Sequence, residues 1–311
     1  MTLTQLEYAL AVSKHGNFTV AAEKSNVTQP TLSMQIQKLE EELGSSIFNR
    51  NTKPIKLTAI GEKIILQAKN ILDESIKMKH LINLEKGDVN GEFTLGIIPT
   101  VMPTLLPFFL KIFSKKFPKV LLKIEELNTQ SFIEQISDGR LDAAIGSTPL
   151  ENSDLIENPL YYEPFVGYVP ENHPLHGLKK IEIDDLENNK MLILEDGHCF
   201  RSQVINICWS RDRTKINYNF NIRSGSFETM INLADEGLGM TLLPFLHTET
   251  LSEKKKSNLR NFIDPVPARE ISLVYSKSRL KLPIINALNK TIDSVMKGLI
   301  AFENVKIIQP K

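Results

Sequence analysis

The chain contains two cysteines, Cys199 and Cys208, nine positions apart in a segment typical of a loop running into a helix. A thiolate can act as a nucleophile, a redox group or a metal ligand. The first residues lack the pattern of a signal peptide, and no stretch approaches the ~18 apolar residues of a membrane span, so we expect a cytoplasmic protein. Structural disulfides are rare there, which favours a catalytic, redox-sensing or metal-binding pair.

Two of these alternatives fit the spacing poorly. Two cysteines nine apart with one histidine lack the close pairs of zinc sites, so we expect no metal, and nothing in the sequence indicates another cofactor. An enzyme with Cys199 as nucleophile and His198 as base would need a hydrogen bond between the two side chains, which adjacent residues rarely form. We therefore expect that the protein is not an enzyme.

The elements around the cysteines predict an α/β architecture. At 311 residues and 41% hydrophobic composition the chain can form two or three domains. Beyond residues 86–90, β-rich runs alternate with helices, which is typical of a parallel sheet covered on both faces. Two α/β subdomains, residues 91–163 with 268–300 and residues 164–267, would enclose a cleft. The loops after FTLGII and MLILED fall at strand ends, where such folds bind ligands, and the second loop carries Cys199.

Residues 1–58 predict a winged helix-turn-helix that reads DNA. A first helix capped by Thr4 ends near Gly16, a short second helix follows, and Thr28 caps a third helix. Leu32, Ile36, Leu39 and Leu43 would be the buried residues of the third helix. Net charge is zero, but the segment from Lys24 to Lys69 contains seven basic and four acidic residues. The expected DNA contacts, on the third helix and the wing, are Gln29, Pro30, Thr31, Ser33, Gln35, Lys38, Arg50 and Lys53.

Residues 59–86 predict a long linker helix that forms dimers. Its residues follow the alternating four-three spacing of a coiled-coil seam. The seam residues are Ile64, Ala68, Ile71, Ser75, Met78 and Ile82. One face of a core helix would show the same spacing, so that alternative stays open. A DNA-binding domain attached to a dimerising helix is physically reasonable, because a dimer with two-fold symmetry binds two half-sites of DNA.

With these residues in view, the chain resembles the LysR-type transcriptional regulators over its whole length. The runs FTVAAEKSNVTQPTLSMQIQKLEEELGSSIFNR and LTAIGE carry the resemblance. Within that family, the chain is similar to the peroxide-sensing branch. That similarity rests on LEDGHC ending at Cys199, with Arg201 beside it and Cys208 nine positions on, on Ile98-Pro99-Thr100, and on MTLLP ending at Pro244. The family fold is a winged helix-turn-helix, a linker helix and a periplasmic-binding-protein-like effector domain.

The resemblance implies a dimer of dimers on double-stranded promoter DNA that contacts RNA polymerase and activates oxidative-stress genes. It implies that hydrogen peroxide oxidises Cys199, the peroxidatic thiol, and that Cys208 resolves it as a disulfide. The residues at the family's peroxide-pocket positions are Thr100, Thr129, His198, Arg201 and Arg269. Thr4 and Lys53 stand where such regulators often carry arginine, and Lys53 holds a phosphate only as a point charge.

The helical spacing of the cysteines has a mechanical consequence. If the segment from Phe200 to Ser210 is helical, nine residues rise about 13.5 Å and the two thiols lie on opposite faces. A disulfide needs Cα atoms within ~7 Å, so the helix would have to unwind after Cys199 is oxidised. The alternative to peroxide sensing is a LysR-type regulator that responds to a small-molecule metabolite in the cleft between the subdomains.

Overall fold

The computed structural model describes residues 1–85, 89–187, 189–208, 224–277, 281–300 and 305–310. Within them, no helix has the length and apolar composition needed to cross a membrane. The chain divides into two compact units, Met1–Lys86 and Gly87–Lys311. Trp209, Tyr218 and the predicted run YNFNI lie outside the described residues.

The first unit begins with the predicted three helices: α1 (Leu3–His15), α2 (Phe18–Lys24) and α3 (Gln29–Leu43). Thr28 caps α3 as predicted, and Gly16 and Gly44 end α1 and α3 in the left-handed conformation that glycine favours. The cap of α1 is Thr2 rather than Thr4, because Thr2 and Gln5 form a reciprocal capping box.

The core of the first unit includes Leu32, Ile36 and Leu39 of α3, as predicted. Leu43 is 39% exposed, so its predicted burial is wrong. Leu43 is the last residue of its helix, where the apolar stripe runs past the core. The wing is a hairpin of two short antiparallel strands, β1 (Phe48–Asn49) and β2 (Lys56–Leu57).

The long helix α4 spans Ala59–Glu85. The first half of its predicted seam packs within the chain's own first unit: Ala68 is 2% exposed in that core, and Ile64 and Ile71 pack against it. Met78, farther along, is 64% exposed. The four-three spacing identified an apolar face but not its partner. The first half therefore follows the core-helix alternative, and dimerisation through the remainder stays a prediction.

The second unit contains a mixed sheet. Its strands are β3 (Gly91–Ile97), β4 (Val120–Glu126), β5 (Ala143–Thr148), β6 (Leu155–Tyr168), β7 (Lys180–Ile181), β8 (Thr241–Pro244), β9 (Leu259–Phe262), β10 (Val266–Ser276) and β11 (Val305–Ile307). Their order is β4-β3-β5-β10-β6-β9-β7, with β8 on β6 and β11 on β10. The strands β3, β4 and β5 are parallel as predicted, whereas β10 is antiparallel to both β5 and β6. The parallel arrangement therefore holds for the first three strands of the unit, and the last long strand gives the sheet its mixed character.

Helices surround this sheet: α5 (Met102–Lys116), α6 (Thr129–Asp138), α7 (Ile183–Leu186), α8 (Cys199–Cys208), α9 (Phe227–Asp235), α10 (Phe245–Thr248), α11 (Glu253–Lys256) and α12 (Leu282–Met296). They enclose two hydrophobic cores, the first around β3, β5, α5 and α12 and the second around α8, α9 and β8. The strands β6 and β10 run from one core into the other. The predicted subdomain boundaries stay a prediction.

The predicted strand MLILED forms no regular strand. Met191 makes one isolated bridge to Met240, and the backbone N–H of Leu192 donates to the Met240 carbonyl oxygen at 2.7 Å. The run is nevertheless buried from Met191 to Leu194, which explains its apolar composition. It leads directly into the loop before Cys199.

Candidate functional site

The two cysteines stand at the two ends of α8, and neither forms a disulfide. The predicted helix between them is thus confirmed. At about 1.5 Å of rise per residue, nine residues separate their positions by about 13.5 Å along the axis. Cys199 is half-buried, whereas Cys208 is 2% exposed in the second core. Burial strongly raises the pKa of Cys208, so this thiol is protonated and unreactive while the helix is wound.

The hydroxyl of Thr129 makes a hydrogen bond with the sulfur of Cys199. Thr129 is the first residue of α6, whose start is capped by the side chain of Asn128 accepting from the backbone N–H of Ser131. Cys199 is likewise the first residue of α8. This hydrogen bond links two helices that are distant in sequence, and the predicted role of Thr129 in holding peroxide stays a prediction.

Burial raises the pKa of the Cys199 thiol above its ordinary value. The hydrogen bond from Thr129, the charge of Arg269 and a backbone hydrogen bond at the residue itself all lower the pKa, but burial outweighs them. Burial thus disfavours the thiolate in the resting site. Thr129 and Arg269 reduce the energy needed to form the thiolate.

Arg269 occupies the centre of the site. Its side chain is 1% exposed, and it donates to Glu163 Oε2 from Nη2 at 2.7 Å and from Nε at 3.0 Å. Nη1 donates to Thr100 Oγ1 at 2.9 Å, and Nη2 donates to the Thr100 carbonyl oxygen at 3.0 Å. The guanidinium also lies 5.2 Å from the ring centroid of Phe200, the residue next to Cys199. Arg269 and Thr100 are therefore held together, and Arg269 lies beside the cysteine helix.

Arg201 is placed differently from the sequence expectation. Its Nε lies 2.8 Å from Asp196 Oδ1, and its Nη1 donates to the Leu194 carbonyl oxygen at 2.8 Å. Residues two positions apart on a helix do not face each other, so Arg201 points away from the face that carries Cys199. The described contacts of Arg201 brace the loop before α8.

His198 also lies in the loop before α8. Its Nε2 is 3.9 Å from Glu195 Oε1, and its carbonyl oxygen accepts from the backbone N–H of Arg201 at 3.0 Å. A Cβ atom at Gly225 would lie 2.7 Å from His198 Nε2, so glycine at that position leaves room for the imidazole. These contacts support a role in orienting the loop, and a contact with peroxide stays a prediction.

The predicted DNA-contacting residues all lie in the first unit. Six are exposed: Gln29, Pro30, Thr31, Lys38, Arg50 and Lys53. Ser33 and Gln35 are half-buried, and Gln35 Oε1 accepts from Gln5 Nε2 at 3.2 Å. The guanidinium of Arg50 lies 5.4 Å from the Phe18 ring centroid, and its Nη2 is 2.9 Å from Glu40 Oε2. Arg50 is therefore oriented on the wing by its own domain.

Two residues of the cysteine site were missed by sequence reasoning. Glu163 holds Arg269, and the signal for it was one carboxylate inside the apolar run LYYEPFVGYV. Gln203 is fully buried one turn after Cys199, on the same face of α8. Its Nε2 donates to Ser147 Oγ at 3.1 Å and to the Ile308 carbonyl oxygen at 2.7 Å. The sequence signal for Gln203 was a side-chain amide among the apolar residues of α8.

Comparison with known families agrees with this architecture. The family of bacterial regulatory helix-turn-helix proteins of the lysR family matches residues 3–62, and the LysR substrate binding domain matches residues 86–296. The chain belongs to the LysR family of bacterial transcriptional regulators.

Similar proteins place the chain within the OxyR branch of that family. The DNA-binding transcriptional dual regulator OxyR of Escherichia coli is 35% identical over 277 residues, covering 88% of this chain and 89% of that protein. The hydrogen peroxide-inducible genes activator of Haemophilus influenzae is 32% identical over 304 residues, covering 96% of this chain and 100% of that protein.

Solved structures of OxyR proteins are also similar to this chain. A full-length OxyR variant from Pseudomonas aeruginosa superposes with a TM-score of 0.72 at 31% identity, covering 94% of each chain. A cysteine-to-serine variant of OxyR from Corynebacterium glutamicum, bound to H2O2, superposes with a TM-score of 0.61 at 30% identity, covering 96% of this chain and 94% of that one.

Proposed function

We propose that the protein is a DNA-binding transcriptional regulator that senses hydrogen peroxide through oxidation of Cys199 and a Cys199–Cys208 disulfide, and that it then activates oxidative-stress genes. One observation carries the proposal. Two free thiols stand at opposite ends of a single ten-residue helix, and the half-buried one, Cys199, is hydrogen-bonded to a hydroxyl at a site that contains a buried arginine.

The first chemical step takes place at Cys199. Its thiolate sulfur attacks one peroxide oxygen, the O–O bond breaks, and the products are a sulfenic acid and a hydroxide that takes up a proton to become water. The hydroxyls of Thr100 and Thr129 would hold the peroxide oxygens and stabilise the leaving hydroxide. The positive charge of Arg269 favours the thiolate and the developing negative charge. His198 and Arg201 act by shaping the loop that carries the sulfur.

The second step joins the two cysteines. The thiol of Cys208 attacks the sulfenic sulfur, a disulfide forms, and one water is released. Peroxide is the oxidant, and the two thiols are oxidised together by two electrons. A disulfide needs Cα atoms within ~7 Å, so α8 must unwind before the bond can close. The closed bond then prevents the helix from re-forming, which makes α8 a two-state switch.

The DNA-binding half of the proposal rests on the winged helix-turn-helix. The exposed start of α3 supplies short polar side chains to base edges, and Arg50 and Lys53 on the wing supply phosphate contacts. A dimer of dimers would present several such domains to one promoter and contact RNA polymerase when oxidised. The protein would act in the cytoplasm. We infer that it acts as a regulator rather than as an enzyme, because oxidation of its thiols would change the conformation of a chain that also carries a DNA-binding domain.

Footprinting on promoter DNA with and without peroxide tests both halves together. Wild-type protein should protect DNA in both states with a changed pattern after peroxide. Cys199→Ser should bind DNA but give the reduced pattern at every peroxide concentration. Cys208→Ser should form the sulfenic acid without the stable change. The mechanism would be overturned if mass spectrometry after thiol alkylation found no linkage between residues 199 and 208 in oxidised wild type. A footprint that responds only to an organic ligand would favour the metabolite alternative.

A further inference from the structure

Residues 305–310, here called the clasp segment, lie against both strand β10 and the cysteine helix. Strand β11 pairs in parallel with the first residues of β10. The backbone N–H of Ile308 then donates to the Ala268 carbonyl oxygen at 2.7 Å. Arg269, which follows Ala268, is the buried arginine of the cysteine site. The clasp segment is therefore attached to the strand that gives the site its positive charge.

Ile308 inserts its side chain into the second hydrophobic core. It is 8% exposed and shares that core with Val204, Ile207 and Cys208 of α8. The preceding residue, Ile307, is 38% exposed. The two adjacent isoleucines therefore have opposite environments, and only one of them packs with the cysteine helix.

Side-chain amides of α8 hold the backbone of the clasp segment. Gln203, which is fully buried, donates from Nε2 to the Ile308 carbonyl oxygen at 2.7 Å. Asn206 donates from Nδ2 to the Gln309 carbonyl oxygen at 3.3 Å. Both amides lie between Cys199 and Cys208, in the stretch that must unwind before a disulfide can close.

We propose that the clasp segment is a conformational restraint that keeps α8 wound in the reduced protein and so sets how fast Cys208 reaches oxidised Cys199. Unwinding removes Gln203 from buried acceptors and separates Ile308 from its core neighbours, and both losses oppose the transition. The inference rests on the proposed function, because it concerns the disulfide-forming step. It assigns that step a restraint distinct from the residues that hold peroxide.

The kinetics of the two steps separate this restraint from a general structural effect. Attack on peroxide is second order and depends on peroxide concentration, whereas closure of the disulfide is first order and does not. Reactions of the full chain with excess peroxide are stopped by alkylation at set times, and mass spectrometry quantifies sulfenic acid and disulfide. Ile308→Ala should speed disulfide closure by about tenfold or more and leave the peroxide-dependent step unchanged. Ile307→Ala is the matched control and should change neither.

A second variant guards against loss of the fold. Asn206→Ala raises intrinsic helix propensity, so by propensity alone it should slow unwinding. If the clasp segment restrains α8, Asn206→Ala should instead speed closure of the disulfide severalfold, because the hydrogen bond to the Gln309 carbonyl oxygen is lost. Circular dichroism of the reduced variants checks that each is folded. If Ile308→Ala does not fold, the rate of disulfide closure in Asn206→Ala decides whether the clasp segment restrains α8.

Three outcomes are distinguishable. Faster closure in both folded variants supports the clasp. Closure rates of Ile308→Ala and Asn206→Ala equal to those of Ile307→Ala and wild type overturn it while leaving the proposed function intact. Absence of any disulfide between residues 199 and 208 in peroxide-treated wild type overturns the proposed function itself, and the clasp with it.

Discussion

Arg269 and Glu163 form an ion pair in which both side chains are 1% exposed and Nη2 lies 2.7 Å from Oε2. The carboxylate fixes the guanidinium, whose remaining N–H groups donate to Thr100. Glu163 also accepts from the backbone N–H of Leu246 at 3.0 Å through its other oxygen. A buried charge is tolerated only when it is paired and hydrogen-bonded, and both members of this pair are. The pair thus places one positive charge beside the cysteine helix.

Removing the arginine should therefore destabilise the protein. Arg269→Met leaves Glu163 buried without its partner and should lower the free energy of unfolding by about 3–5 kcal/mol. Urea unfolding of the reduced protein measures the change. The control is Lys123→Met, which breaks the exposed ion pair with Glu92 and should leave the stability nearly unchanged. Equal small effects of the two substitutions would contradict the burial argument.

The hydroxyl of Thr129 should control the reactivity of Cys199. Thr129→Val removes the hydrogen bond that lowers the pKa of the thiol, so this pKa should rise further. The alkylation rate of Cys199 at neutral pH should then fall by about tenfold, and its pH profile should move to higher pH. Thr129→Ser retains the hydroxyl and should keep the wild-type profile. Superposable profiles for Val and wild type would show that the hydrogen bond does not act on the thiolate.

The two cysteines of the reduced protein should react unequally with an alkylating reagent. Cys199 is half-buried and should react progressively faster as pH rises toward its raised pKa, because the thiolate fraction increases. Cys208 is buried and its pKa is raised much further, so it should be modified only when α8 unwinds. Peptide mapping after short alkylation measures both rates. Comparable rates at the two sites would mean that α8 is not stably wound in solution.

Two substitutions in the first unit should separate base reading from phosphate binding. Gln29→Ala removes a side chain at the exposed start of α3 and should relax sequence preference at one operator position. Lys53→Ala should weaken binding equally across operator sequences and reduce the salt dependence by about one phosphate contact. Binding titrations over operator variants and salt concentrations measure both. Loss of sequence preference in Lys53→Ala with an unchanged salt slope would contradict the assignment of the wing.

Local patterns predicted the local structure well. The three helices of the first unit were predicted because Thr28, Gly16 and Gly44 act within one turn of the helix ends that they define. The helix between the cysteines was predicted for the same reason, since its apolar spacing is contained in ten residues. The position of Thr129 came from family resemblance rather than spacing, and the structure brings it to Cys199.

Long-range partners were predicted less well, because sequence spacing shows a face and not what covers it. The spacing around Ala68 predicted either a dimer seam or one face of a core helix, and Ala68 packs in the chain's own core. The charge of Arg201 was expected at the thiol and is bound by Asp196, which became evident only from the loop conformation. Glu163 and β11 were missed, because one carboxylate in an apolar run and three residues of strand give weak signals.

Hydrogen–deuterium exchange of α8 before and after peroxide treatment tests the central claim most directly. In the reduced protein, the backbone amides of residues 203–208 are within the helix and should exchange slowly. In protein whose 199–208 disulfide has been verified by mass spectrometry, the same amides should exchange much faster. Unchanged protection of these amides in the disulfide-bonded protein would contradict the account, because the bond would then have formed without unwinding the helix.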